Sequence, residues 1–98
     1  MNINIEKENG RVILKIEGRL DTTTAPELEK TINGEGEELK SLVLDFKGVD
    51  YISSAGLRVL LTAQKKMNVQ GNMELVNVSE AVMDIFEMTG FADILVIR

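Results

Sequence analysis

"LVLDFKGVDYISSAGLRVLL", Leu42 to Leu61, sets the frame for the whole chain. Its first half belongs to a short apolar run, Ser41 to Phe46, in which Leu42, Leu44 and Phe46 share one face. That is the period of a strand with one buried side. The second half changes period. Leu57, Leu60, Leu61 and Met67 form one apolar stripe, which predicts a helix from about Ala55 to Val69. Arg58, Thr62, Lys65 and Lys66 fall on the opposite, largely basic face. At the joint stand two serines, Ser53 and Ser54, with Gly56 close behind. A strand feeding directly into an amphipathic helix is the building unit of an α/β fold.

The same alternation extends in both directions. Asn2 to Glu8 places Ile3 and Ile5 on one side, a half-buried strand. Asn9-Gly10 then reads as a type I′ hairpin turn, because both residues tolerate positive φ. The return strand, Arg11 to Gly18, sets Val12, Leu14 and Ile16 against Ile13, Lys15 and Glu17. Next, Thr24 with Glu27 has the spacing of a capping box, Pro26 suits a first helical turn, and Ala25, Leu28 and Ile32 make a buried stripe. Gly34 and Gly36 can end that helix. Downstream, "MELVN" reads as a strand, and Ser79 as the cap of a short helix whose Val82, Ile85 and Phe86 face inward. Gly90 closes that helix, and "DILVIR" reads as a last strand. Met67, Met73, Met83 and Met88 read as core filler. The order is β-β-α-β-α-β-α-β. It predicts an α/β fold with a mixed, mostly parallel sheet, an N-terminal antiparallel hairpin and about three helices mainly on one face.

Composition narrows the function. The chain has 98 residues, 44% of them hydrophobic, which fits a single domain over residues 1–98. It has no cysteine, so disulfide and thiol chemistry are excluded, and a reducing cytoplasm suits it. It has no histidine, which excludes a Ser-His-Asp triad and a His-ligated zinc site. No metal and no cofactor are expected. The net charge of −5 argues against nucleic acid as a partner. Met1 to Gly10 lacks the apolar core of a signal peptide, and no run approaches the roughly 20 apolar residues of a membrane span.

Three readings of the serine pair stay open on physical grounds. Ser53 or Ser54 can cap the helix. Either can be a nucleophile, although only a lysine or carboxylate is available as its base and the G-x-S-x-G pattern is absent. Either can be a phosphorylation site at the mouth of a helix, where free N–H groups and the dipole accommodate negative charge. In this reading Gly56 leaves room for an approaching group.

Two motifs resemble the STAS-domain family, specifically stand-alone anti-anti-sigma factors, also called anti-sigma factor antagonists. They are "GRLDTTTAPEL", Gly18 to Leu28, and "LVLDFKGVDYISSAGLRVLL" itself, and the element order is similar along nearly all of the chain. The resemblance implies a STAS-like fold and a non-enzymatic, cytoplasmic role in partner switching. The unphosphorylated protein would bind an anti-sigma factor serine kinase and free a sigma factor. Phosphorylation would end the complex, and a serine phosphatase would restore it. Set against the family's D-S-[ST]-G-L, Ser54 takes the phosphorylated position, with Ser53 as the alternative. Ala55 takes the second-hydroxyl position, and Ser53 stands where the family often has aspartate. Asp21 matches the aspartate of the first motif, with Thr22 and Thr23 in the same loop. The implied partner surface is Asp21, Thr22, Thr23, Ser53, Ser54, Ala55, Gly56 and Arg58. Two alternatives remain: a STAS interaction module of another signalling assembly without a phospho-switch, and a small serine-dependent enzyme.

Overall fold

The computed structural model describes residues 1–36 and 38–98. A hairpin of β1 (Asn2–Glu8) and β2 (Arg11–Leu20) leads to α1 (Ala25–Asn33). Then come β3 (Ser41–Ile52), α2 (Ser54–Gln70), β4 (Asn72–Val76) and α3 (Glu80–Thr89), with a 3-10 turn at Phe91–Asp93. The sheet order is β1-β2-β3-β4. β1 pairs antiparallel with β2, and the β2–β3 and β3–β4 pairs are parallel. The mixed, mostly parallel sheet expected from the sequence is therefore observed. Asn9 and Gly10 both take positive φ, 48° and 80°, as the hairpin reading requires.

One cluster of apolar side chains joins sheet to helices. Val12, Leu14 and Ile16 of β2, Leu42, Leu44 and Phe46 of β3, and Met73 and Leu75 of β4 are buried in it. These residues alternate along their strands, so they come from one sheet face. Leu28 and Ile32 of α1, Leu57, Leu60 and Met67 of α2, and Val82 and Phe86 of α3 complete the cluster. The Phe46 and Phe86 rings lie 6.4 Å apart, centre to centre. Among the described residues no helix is long and apolar enough to cross a membrane.

Four local expectations change. β3 runs six residues past Phe46, to Ile52. Its buried residues there are Phe46, Val49 and Ile52, a spacing of three that hides a strand from a period-two reading. The cause is two bulges. Between Lys15↔Asp45 and Glu17↔Gly48, β3 has one residue more than β2, and the same happens between Gly18↔Val49 and Arg19↔Tyr51. Secondly, "DILVIR" does not make a full strand. After Gly90 (φ 82°) the 3-10 turn draws the Ile94 and Leu95 N–H groups back to the Phe91 carbonyl. Only the end of the segment reaches β4, as a single bridge between Leu75 and Ile97. Thirdly, the Thr24–Glu27 capping box does not form, because the Thr24 hydroxyl is engaged in the preceding loop. Lastly, Met88 is 85% exposed and fills no core. Ser79 caps α3 as expected, accepting from the Val82 N–H at 3.2 Å.

Candidate functional site

β2 and β3 are parallel neighbours, so the loops that follow them leave the same edge of the sheet. The Ser53 N–H donates to the Leu20 carbonyl at 2.9 Å, which ties the two loop mouths together. The Ser53 carbonyl then accepts the first helical bond of α2, from the Leu57 N–H at 2.9 Å. Ser53 is thus the N-cap by position, with extended backbone (φ −99°, ψ 176°). Its side chain does not cap. The Ser53 Oγ is buried and has no hydrogen-bond partner among the described residues. Ser54, the first residue of α2, is exposed. The two adjacent hydroxyls therefore differ in what can reach them: one is sealed, the other faces solvent.

Gly56 is buried, and the space its missing side chain leaves is filled by the protein itself. A Cβ here would lie 2.8 Å from Leu20 Cγ, 2.8 Å from Ile52 Cγ1 and 3.0 Å from the Leu20 carbonyl oxygen. The glycine lets α2 sit directly on the ends of β2 and β3. This corrects the expectation that it clears room for an incoming group. Ala55 is half-buried, and Arg58, one turn after Ser54, is exposed. The first turn of α2 carries no acidic residue, so its free N–H groups face no competing negative side chain there.

The adjoining loop is built around Asp21. Its Oδ1 accepts from the Thr23 N–H at 3.0 Å and the Thr24 N–H at 3.1 Å. The Thr24 hydroxyl accepts from the Asp21 N–H at 2.9 Å and donates to the Arg19 carbonyl at 2.6 Å. The Thr24 N–H bond, helped by the Thr23 N–H and the charge of Arg19, holds the Asp21 carboxyl below its ordinary value of 3.8, against partial desolvation. Asp21 thereby fixes the loop that presents Thr22 and Thr23, both exposed.

Two further residues belong to this edge and escaped the sequence reading. The Arg19 guanidinium lies 4.2 Å over the Tyr51 ring, and its Nε is 3.7 Å from Asp21 Oδ2. An exposed cation–π contact of this kind is worth about 0.5–1 kcal/mol. Arg19 and Tyr51 are paired across the two strands only because the bulges shift the register. Nothing in the linear spacing brings them together.

A groove of about 550 Å³ lies elsewhere, along Lys15, Glu17, Asp45, Lys47 and Asn77, and no residue of the serine loop lines it. A strand-end loop pair with an exposed serine on a helix mouth suits contact with another macromolecule. The STAS domain family matches residues 2–98. The chain belongs to this family. An anti-sigma-B factor antagonist of Bacillus subtilis is 35% identical to this STAS domain over 98 residues, covering 97% of this chain and 90% of that one. Among solved structures, an anti-sigma factor antagonist from Mycobacterium paratuberculosis matches with a TM-score of 0.88 at 23% identity, covering 99% of this chain and 84% of that one. The Bacillus cell fate determinant SpoIIAA in its phosphorylated form matches with a TM-score of 0.76 at 17% identity, covering 99% and 91%. At these identities the structural likenesses establish the fold, and they place the chain's mixed sheet and helices among STAS domains.

Proposed function

We propose that this STAS domain is an anti-sigma factor antagonist whose binding is switched at Ser54. With Ser54 unmodified, the edge formed by Asp21, Thr22, Thr23, Ser53, Ser54, Ala55, Gly56 and Arg58 docks on an anti-sigma factor serine kinase, and a sigma factor is released. The kinase then transfers phosphate: Ser54 Oγ bonds to the γ-phosphorus of ATP, the bond to the ADP oxygen breaks, and the hydroxyl proton passes to a base on the kinase. A serine phosphatase reverses the modification by hydrolysis. The role is carried by 35% identity, over almost the full length, to a protein named anti-sigma-B factor antagonist. The choice of serine is supported by the contrast between the buried Ser53 Oγ and the exposed Ser54.

The physics of the switch follows from the position. Phosphate adds about −1.5 to −2 charges at the N-terminus of a 17-residue helix, where the dipole favours an anion. The domain itself is left folded. In the complex the same charge is desolvated against the partner, and binding weakens. In this arrangement Asp21 and Gly56 shape the surface from within, while Thr22, Thr23, Ser54 and Arg58 meet the partner.

The test is binding to the cognate anti-sigma kinase, measured for wild type, Ser54→Ala and Ser54→Asp. Ser54→Ala binds like wild type and resists ATP-dependent dissociation; Ser54→Asp binds at least tenfold more weakly. Mass spectrometry after incubation with kinase and ATP finds phosphate on Ser54. Phosphate on Ser53, or full affinity in Ser54→Asp, contradicts the assignment. A complex that ATP leaves intact points instead to a STAS module without a phospho-switch.

A further inference from the structure

The outer edge of β1 is an unfinished piece of sheet. β1 lies at the end of the order β1-β2-β3-β4, so one of its sides has no neighbouring strand among the described residues. All seven of its residues pair with β2 in unbroken register, from Asn2↔Glu17 to Glu8↔Arg11. It has no proline and no bulge, two of the devices that natural edge strands use against pairing.

The hairpin turn fixes which backbone groups are free. In a two-residue type I′ turn the flanking residues, here Glu8 and Arg11, form a hydrogen-bonded pair. Hydrogen-bonded and non-bonded pairs alternate along an antiparallel ladder. Glu8, Glu6, Asn4 and Asn2 therefore bond β2, and Ile3, Ile5 and Lys7 turn their N–H and C=O groups to the open edge. The side chains of those same three residues point to the core face, since Ile5 stands opposite Leu14 and Ile3 opposite Ile16. Ile5 is nevertheless 48% exposed. Lys7, the charge that would guard this edge, is drawn into an ion pair with Glu35 at 3.1 Å.

We propose that this edge is a docking surface for a second copy of the chain, with two β1 strands antiparallel about a two-fold axis at Ile5. That register matches apolar Ile5 with itself and opposes no like charges. Ile5 faces Ile5 of the second copy, Lys7 faces Ile3, Glu6 faces Asn4 and Glu8 faces Asn2. No like charges stand directly opposite, and all three outward-facing residues on each strand exchange hydrogen bonds. Moving the axis to Glu6 sets Glu6 against Glu6, and moving it to Lys7 sets Lys7 against Lys7 and Glu6 against Glu8. Moving it to Asn4 leaves Lys7 outside the opposing strand. The product is one continuous eight-stranded sheet in which the two exposed isoleucines cover one another.

Sedimentation velocity on the whole chain across a concentration series up to roughly 1 mM tests this, a range suited to an interface of one strand pair. The wild type sediments faster as concentration rises. Asn2→Lys brings a lysine opposite Glu8 of the second copy twice about the axis, with Glu17 and no like charge opposite it in β2, and tightens the dimer about 3- to 10-fold; Ile5→Lys sets two lysines against one another on the axis and weakens it by a similar factor. Ile5→Pro deletes an N–H that faces the open edge, leaves the β2 ladder whole and abolishes dimerisation. Circular dichroism on each variant keeps loss of fold apart from loss of pairing. A wild type that stays monomeric throughout overturns the proposal, including the case where the edge accepts a strand from another protein. So does an Asn2→Lys variant that weakens the dimer, or an Ile5→Lys variant that leaves it as tight as wild type. None of these outcomes depends on the role of Ser54.

Discussion

Replacing Gly56 by alanine tests how the serine loop is held. The new Cβ would lie 2.8 Å from two side-chain carbons, Leu20 Cγ and Ile52 Cγ1, and 3.0 Å from the Leu20 carbonyl oxygen. Leu20 is fully buried and Ile52 is 3% exposed, so neither side chain has free space to enter. The carbonyl is held as well, by the Ser53 N–H at 2.9 Å. Overpacking a close-packed core costs about 1–3 kcal/mol. Alanine recovers at most about 1 kcal/mol through its helix propensity, and less at this position in the first turn. The expected net effect is a loss of about 1–2 kcal/mol. For a chain of this size that lowers the midpoint of thermal unfolding by about 5–15 °C. Urea unfolding followed by circular dichroism reads the loss as a lower midpoint at unchanged slope. Under the proposed function, phosphorylation of Ser54 slows in parallel, because the helix mouth must shift. An alanine variant as stable as wild type, or more so, would show that α2 does not sit as tightly on Leu20 and Ile52 as described.

Other expectations follow from single side chains. Ser53→Ala removes a buried hydroxyl that has no partner among the described residues, so stability stays level or rises by up to about 1 kcal/mol, whereas loss of a working cap would cost about 1 kcal/mol. The sign of the midpoint shift in urea decides between them. Ser79→Ala, by contrast, loses a formed cap and costs about 1 kcal/mol in the same assay. Asp21→Asn is less stable than wild type at neutral pH. The folded Asp21 carboxyl titrates below its ordinary 3.8, so its contribution is complete above that value and fades as pH falls through the lower folded value. Urea midpoints for the two proteins therefore converge in acid; a gap that stays constant with pH would count against the loop bonds to the carboxylate.

The parts that were legible in the sequence are those governed by local rules. Asn9-Gly10 specifies a turn through its own backbone preferences, and with the alternation of Val12, Leu14 and Ile16 it sets the β1–β2 register. Val12, Leu14 and Ile16 keep a strict period of two, and Leu28 and Ile32 fit a helical stripe, so their buried faces were readable. Ser79 caps α3 with partners three residues away. The candidate loops were found because they stand at the ends of these elements.

What tertiary structure decided are the features that depend on a neighbour in space. The second half of β3 is extended because β2 pairs with it through two bulges, and the bulges break the period by which a strand is recognised. Arg19 meets Tyr51 only through that shifted register. "DILVIR" has the composition of a strand, yet the turn after Gly90 leaves a single bridge to β4. Composition made Ser53 and Ser54 equivalent. Packing separated them, because the Ser53 N–H is tied to Leu20 and its hydroxyl is sealed, while the next residue begins a helix whose first turn faces solvent. The sequence by itself determined most of the elements and the pair of serines. The fold decided which serine is open, since burial belongs to the assembled sheet and helix and to no residue alone.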